Sequence, residues 1–489
     1  MKKYIPILIA LIFLWGIALR AVEVVNGNYL FGFDVGRDML VARNIVENHK
    51  YTLIGAEVGS GSAGINGIFQ GPGYYYLLTI PYILFRGDPY GVLLTMFLFG
   101  VVTLALSYWT CRRMFGKGAA IVSLFLVAVS PLIVSQSRFI WAPHPASLLI
   151  VLSLYFTYMI YKRPRLYAPL AMLTAGLTYH FEFAMTIPMM IAILIAMPLI
   201  YRIKDIKTYV YSIAATVFVF LPMIAFEMRH GFMAVKSIFS YAAPQGVQKG
   251  EHLIPYIYNA SNSFPTEHGM VPGQWFIPLC GALLVALMVI AWKEKDKARR
   301  KFFQFFLLSL VVSYVVFLFL NNVIWDYYLI HAHFIYMYVF AYLFTRKSKI
   351  ISIILFPFLL SMIVSSAWRM MISYRDDIHD LGGVEKIQGK KIAIDYVYQD
   401  AKEKAFSEFT FMAPIYTYPY EYLFATYGKK KYGYVPGNQK KGLVYLIIEP
   451  DRSKPWTYKG WLETVIVGGE ILDTKTLETG HIIQKRLFP

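Results

Sequence analysis

The chain has 489 residues, of which 57% are hydrophobic, 17% aromatic and only 16% charged, well under the charge content of a soluble domain, about 25%. A net charge of +18 would suit a nucleic-acid binder, but the Lys and Arg stand in short clusters between apolar runs, without RGG, RNP or zinc-finger blocks. Two cysteines, Cys111 and Cys280, exclude a disulfide framework and are too few for a structural zinc site.

The apolar residues fall into runs of about 17 to 25, the length that crosses a bilayer. They predict a polytopic α-helical membrane protein of about eleven transmembrane helices with a small C-terminal α/β domain. The spans are expected near 4–22, 90–111, 118–135, 146–161, 166–182, 184–201, 208–227, 274–292, 302–320, 328–345 and 350–368. The first follows Lys2 and Lys3 and has no small-residue cleavage site after it, so it reads as an uncleaved signal anchor rather than a signal peptide.

The first long connection, 23–89, opens with NGNYLFGFDVGRDMLVARNIVENHKY. Met39, Ala42 and Val46, with Val41 and Ile45, form an apolar stripe, and Arg37, Asp38, Asn44 and Glu47 are polar. That pattern predicts an amphipathic helix lying on the membrane surface. Seven glycines between Gly55 and Gly73 mark a loop. The apolar segment 74–85 is too short to span and reads as re-entrant or interfacial. A second long connection, 228–273, is rich in Pro, Gly, Asn and His and carries the sequon Asn259-Ala-Ser261. The chain divides into a membrane domain, 1–368, and a soluble domain, 369–489. In the latter, KKIAIDYVYQDAKEKAF predicts a helix or strand–helix, and KGLVYLIIEP and TVIVGGEIL predict strands.

Alternate loops carry very different charge. Lys2, Lys3, Arg112, Arg113, Lys117, Lys162, Arg163, Arg165, Arg202, Lys204 and Lys207 lie on one side, with six bases from Lys293 to Lys301 and then Arg346, Lys347 and Lys349. The other side's short loops hold little beyond Arg86, Arg138 and Arg229. Cytoplasmic loops retain Lys and Arg. The expected protein is therefore a multi-pass cell-membrane protein with a cytoplasmic N-terminus and an extracytoplasmic C-terminal domain.

Ionisable residues at the hydrocarbon edge are costly and tend to be functional. Asp34 is the first acid after the opening span, and Asp38 lies one turn on. Either suits a general base for a hydroxyl, while the bland role of Asp34 is a helix N-cap. Arg138, in SRFIWAPHP, calls for an anionic partner, a lipid headgroup or a substrate phosphate. His144 beside it reads as structural. His180 and Glu182, in LTYHFEF, are two residues apart and do not share a helix face, so they predict cavity hydrogen-bonding groups rather than a metal pair. Glu227, Arg229 and His230 suggest a local ion pair, and Asp326 and His331 could reach the same cavity. His333 stands beside His331.

Taken together, FGFDVGRD, GPGYYYLL, SRFIWAPHP and LTYHFEF, in this order and sidedness, resemble the C-type membrane glycosyltransferases. Within these, the chain is most similar to the bacterial and archaeal protein O-mannosyltransferase and aminoarabinose transferase group. The resemblance covers residues 1 to about 368; the tail, with APIYTYPYEYLFATYG, looks like the external domain of some members and implies no chemistry. The likeness implies a polyprenyl-phosphate sugar entering from the outer leaflet and a catalytic acid just after the first span, a position Asp34 matches. Many members carry Asp-Glu there; here Asp34-Val35 is followed by Arg37 and Asp38, which leaves open whether Asp38 shares the catalysis or binds a metal. Arg138 is similar to the arginine expected near the lipid phosphate, with Arg37, His180, Glu182 and Arg229 as further substrate-binding candidates.

The implied reaction is an inverting transfer to a lipid, glycan or protein acceptor outside the cytoplasm. A divalent metal is possible but not required by the sequence, and no nucleic acid is expected. The competing readings are a lipid-linked saccharide flippase, polymerase or other transporter, and a non-catalytic envelope scaffold. Transporters usually carry internal repeats and midplane breaks, and the sequence has no convincing repeat.

Overall fold

A computed structural model describes residues 4–58, 67–242, 273–318, 325–346, 349–380 and 382–489, apart from 414, 415, 452 and 455. The sequon at Asn259 lies outside the described residues. Each of the expected spans contains helix, but 118–135 breaks at Ser130 into two helices and the α-helix within 166–182 ends at Leu177. In chain order the helices are α1 (Ile5–Asn26), α2 (Phe33–Asn48), α3 (Gly73–Leu84), α4 (Tyr90–Phe115), α5 (Lys117–Val129), α6 (Pro131–Ser135), α7 (Ala146–Met159), α8 (Pro164–Leu177), α9 (Phe183–Leu199) and α10 (Ile206–Arg229). After them come α11 (Met233–Ala242), α12 (Gly273–Lys293), α13 (Lys297–Leu318), α14 (Ile330–Phe344) and α15 (Lys349–Arg375).

Among the described residues, six helices are long and apolar enough to cross a membrane, and four shorter ones are apolar. Their outward faces are apolar too: Leu11, Phe218, Ile353 and Val364 are all exposed. Apolar surface on that scale needs lipid or a partner around it. The expected boundary at residue 368 falls within α15, which continues unbroken to Arg375.

One charge lies inside the first span. Arg20 is fully buried and donates to the carbonyls of Gly16 (2.8 Å), Ala128 (2.9 Å) and Val127 (2.8 Å). The last two are end carbonyls of α5, which have no partner within their own helix. Arg369 on α15 donates to the next one, Val129, at 2.7 Å. Two guanidiniums thus finish a helix that stops inside the bundle, where water cannot.

The C-terminal domain holds α16 (Ile387–Ala401), β1 (Ser407–Phe411), α17 (Tyr418–Leu423), α18 (Lys429–Tyr432), β2 (Gly442–Ile448), α19 (Trp456–Trp461), β3 (Glu470–Thr476) and β4 (Ile482–Phe488). The sheet order is β1-β2-β4-β3, with β1 parallel to β2 and the other pairs antiparallel. KKIAIDYV forms helix and KGLVYLII strand, as expected. TVIVGGEIL divides: Leu462–Ile466 is a wide helical turn, and the strand begins only at Glu470, past two glycines with positive φ. A buried polar group ties four elements of the domain together. Lys390 pairs with Glu449, Tyr420 donates to Glu449 at 2.6 Å, and His481 lies 2.8 Å from the Tyr420 hydroxyl. Burial works against the charge on Glu449, yet Lys390, His481 and Tyr420 hold it below the usual carboxylate range.

Helix α2 does not lie open on a membrane surface. Its apolar stripe, Val35, Met39, Ala42 and Ile45, is buried in one core with Tyr74, Leu78 and Tyr82 of α3 and with Ile394, Tyr420, Tyr422 and Leu423 of the C-terminal domain. Asp38 is buried with it rather than facing water. The amphipathic pattern was real, but protein covers it instead of lipid. The domain also pairs with the chain just after α1: Phe31 N donates to Glu385 O at 3.0 Å and Ile387 N to Tyr29 O at 2.9 Å. At the seam, a Cβ on Gly36 would stand 2.3 Å from the backbone N of Pro419 and 2.6 Å from the carbonyl carbon of Tyr418.

Because both of those atoms are backbone, the overlap at Gly36 has no easy relief. Gly36→Ala is expected to lower stability by about 2 kcal/mol and to open the joint between the domain and the bundle to limited proteolysis. Gly32→Ala, whose Cβ would meet nothing within 4 Å, is the control; equal melting temperatures for the two variants would contradict the tight seam.

Candidate active site

The first turn of α2 brings Asp34, Arg37 and Asp38 together. Gly32 is the N-cap, so Asp34 is not the cap residue and makes no side-chain cap bond; it sits in the first turn, where a negative charge suits the helix dipole. Arg37 reaches Asp34 at 2.9 Å and Asp38 at 2.7 Å. The two carboxylates differ sharply in environment: the Asp34 side chain is 41% exposed, that of Asp38 3%. One guanidinium therefore serves an open acid and a buried one.

The electrostatics follow from that sharing. Burial is the largest influence on Asp38 and pushes it up to about 7; Arg37 pulls it down, and Asp34 pushes it up again. Burial works against the charge on Arg37, but Asp38 and Asp34 together hold it above its ordinary value. Tyr75 on α3 hydrogen-bonds into the pair. The hydroxyl of the neighbouring Tyr74 is buried without a hydrogen-bond partner and lies within electrostatic reach of all three charged residues. A buried hydroxyl without a partner is uncommon in a folded chain, and this one stands beside the charged turn of α2.

Aromatic rings wall the site. Phe33 packs 5.3 Å from both Tyr416 and Tyr418 of the C-terminal domain. On the other side, Tyr327 feels the charges of both Asp34 and Glu182 and packs against Trp141 at 4.5 Å. These aromatics were not singled out from the sequence; in a chain with 38 Tyr and 36 Phe, nothing in their spacing sets them apart.

The other expected site residues divide. Glu182 is buried and caps α9, accepting from Ala184 N at 3.1 Å, and it shares Tyr327 with Asp34. His180 is a clamp: Nδ1 accepts from Gly73 N at 3.2 Å, and a Cβ on Gly71 or Gly73 would collide with its ring. Only glycines let the first loop pass there.

Arg138 already has its anions. It donates to Glu23 at 2.7 and 2.6 Å and to Asp377 at 3.2 Å, tying the end of α1 to the start of the C-terminal domain. The expectation of an outside anion for Arg138 is thus met from within the chain. Glu227 pairs with neither Arg229 nor His230; it caps α11 through Ala234 N and Val235 N, and Arg229 is exposed at the end of α10. His331 and His333 do not reach the cavity: their Nε2 atoms meet Ser313 and Ser130 inside the bundle, at 2.7 and 2.8 Å. His144 sits on the Phe139 carbonyl at 2.9 Å. Among the described residues, no cluster of three or more His, Cys, Asp or Glu side chains is arranged to hold a metal; between Asp34 and Asp38, the cation is Arg37.

Residues 70–226 match the family model for dolichyl-phosphate-mannose-protein mannosyltransferases. The whole fold is similar to that of ArnT from Cupriavidus metallidurans. The TM-score is 0.57 to the structure bound to undecaprenyl phosphate and 0.58 to the apo form, with 12% identity over 99% of this chain and 98% of that one. It is also similar to the archaeal oligosaccharyltransferase AglB from Archaeoglobus fulgidus, solved in complex with an inhibitory peptide and a dolichol-phosphate. There the TM-score is 0.53, with 13% identity over 99% of this chain and 74% of that one. At such identities the likeness shows the fold. No curated protein matches the chain in sequence. The family match covers about a third of the chain, and the likeness to ArnT and AglB is one of fold.

Two outcomes follow from this geometry. With Asp38 raised to about 7, against about 3.9 unfolded, the folded chain binds the extra proton between those values. The stabilisation is complete below about pH 4 and is lost as pH rises through 7. The melting-temperature difference between wild type and Asp38→Asn should therefore change across pH 5 to 8, with wild type losing ground as pH rises; a constant difference would mean that Asp38 does not titrate there. For Arg138, a double-mutant cycle with Glu23 tests the internal pairing. Arg138→Gln alone should cost about 1–3 kcal/mol, and Glu23→Gln should recover part of it, giving a coupling of at least about 1 kcal/mol; additive losses would argue against the pair.

Proposed function

We propose that the protein transfers a sugar from a polyprenyl-phosphate donor to an acceptor hydroxyl at the extracytoplasmic face, with inversion at the anomeric carbon. The observation that carries this reading is Asp34: an acid held by Arg37 at 2.9 Å, yet 41% exposed, between aromatic walls at the end of a bundle similar in fold to ArnT. Its carboxylate, held by Arg37 on one side and open on the other, can accept a proton from a bound hydroxyl, which is what a general base needs. The acceptor oxygen attacks the anomeric carbon, and its proton passes to Asp34. The bond from that carbon to the phosphate oxygen breaks, and the electron pair leaves with the polyprenyl phosphate. A phosphate is a good enough leaving group to need no strong acid.

Asp38 and Tyr75 act here as positioning residues that set the angle of Arg37, while Glu182 and Tyr74, both buried, shape the wall behind the acid. Arg138 is engaged by Glu23 and Asp377, so it reaches a phosphate only by giving them up. Arg229 is exposed and has no acid partner among the described residues, so it is the freer of the two cations for a phosphate. The positive-inside pattern supports a cytoplasmic N-terminus and an external site, and eleven spans remain the count that fits both. The solved ArnT and AglB structures hold lipid phosphates, which supports a lipid-phosphate donor for this chain.

The test is sugar transfer in membranes supplied with polyprenyl-phosphate sugars. Asp34→Asn should reduce transfer by about 10²- to 10⁴-fold at unchanged expression, while Asp38→Asn should lower it less and shift its pH profile. Normal transfer by Asp34→Asn would remove it as the base; sugar crossing the bilayer with no new glycosidic bond would favour a transporter.

A further inference from the structure

A second basin lies on the other side of α2. Asp34 and Arg43 are nine residues apart on that helix, which places them half a turn round from each other and about 13 Å apart along the axis. There a cavity of about 750 Å³ opens between the end of α2, the turn after α3 and the segment around α18. Arg43, Arg86, Lys391, Lys429, Lys430 and Lys431 line it, against Glu47 and Asp88. Arg43 is paired with Glu47 at 2.8 Å and Lys431 with Asp395 at 2.7 Å. Arg86, Lys429 and Lys430 have no ion-pair partner among the described residues.

The groove is built rather than a loose charged surface. Arg86 takes a φ of 52°, a left-handed conformation that L side chains rarely adopt. The turn is held in place by Tyr422, whose hydroxyl donates to Gly87 O at 2.6 Å, and by Gly87 N, which donates to Tyr82 O at 2.9 Å. Directly before it, Ile80, Ile83 and Leu84 are 57%, 59% and 72% exposed. Directly after it begins α4, which is long and apolar enough to cross a bilayer. Lipid-facing side chains therefore run up to the turn, and cations stand above it, as a lipid with an anionic head requires.

We propose that this groove binds the phosphate of a membrane lipid, with the head among Arg86, Lys429 and Lys430 and the chain along Ile80, Ile83 and Leu84. Arg86 belongs to the membrane bundle and the two lysines to the C-terminal domain, so one phosphate bridges both and locks the seam that covers α2. The inference rests on the bundle lying in a membrane and is independent of sugar transfer.

The experiment is native mass spectrometry of the full chain in detergent, titrated with phosphatidylglycerol, undecaprenyl phosphate or phosphatidylcholine. The two anionic lipids should bind more tightly than phosphatidylcholine. The triple variant Arg86→Gln/Lys429→Gln/Lys430→Gln should lose about tenfold or more of that affinity, while Lys429→Arg/Lys430→Arg keeps it. Asp34→Asn should bind these lipids at the groove as wild type does, which separates this proposal from the catalytic one. A preference for undecaprenyl phosphate that the triple variant loses assigns the groove to a carrier lipid, and equal binding of the two anionic lipids there assigns it to bulk lipid. Equal binding of phosphatidylcholine, or an unchanged triple variant, would overturn the proposal.

Discussion

The site depends on a close approach of two backbones, α2 at Gly36 and the C-terminal domain at Pro419. Helix α2 carries the acids, and a short isolated amphipathic helix is marginally stable in water. Here its apolar face is sealed by α3 below and by α17 above, in one continuous core. A side chain at position 36 would hold the two apart. The domain is thus a structural part of the candidate active site, and Tyr416 and Tyr418 from it flank Phe33 beside the acid.

Charge is placed with the same economy. A buried charge is tolerated when it is paired or satisfies backbone groups. Arg20 and Arg369 finish the carbonyl end of α5. Glu23, Arg138 and Asp377 lock the first span to the start of the domain, and Lys390 with Glu449 closes the domain's interior. Asp34 differs from these. It is held on one side by Arg37 and open on the other, so its free lone pairs are available to a ligand. Asp38, buried on the same cation, keeps Arg37 from closing over Asp34 alone. Two acids sharing one base is an arrangement for orientation more than for stability.

Much of the fold was legible in the chain. Runs of bilayer length marked the bundle helices because hydrocarbon demands internally satisfied backbone over a fixed thickness. The period of Met39, Ala42 and Ile45 marked α2, and Asp34 with Arg37 and Asp38 marked its charged turn. Less legible was what meets what. Arg138 reads the same from the sequence whether its anion is a lipid or Glu23, which lies over a hundred positions away. His331 and His333 look exposed near a helix end, yet they turn inward onto serines. Strand β4 has little signature in the sequence, because its alternation is short and interrupted by Lys and Arg.

The sequence by itself determined that this chain is a membrane bundle with a small α/β tail, and that an acid–base–acid cluster follows the first span, because hydropathy and helical period are local properties. Only the tertiary structure decided that the tail roofs the first loop, that Arg138 is already neutralised, and that a basic groove forms from Arg86 and Lys429 to Lys431. Those are contacts between distant segments, fixed by close packing and charge pairing, and no spacing along the chain records them.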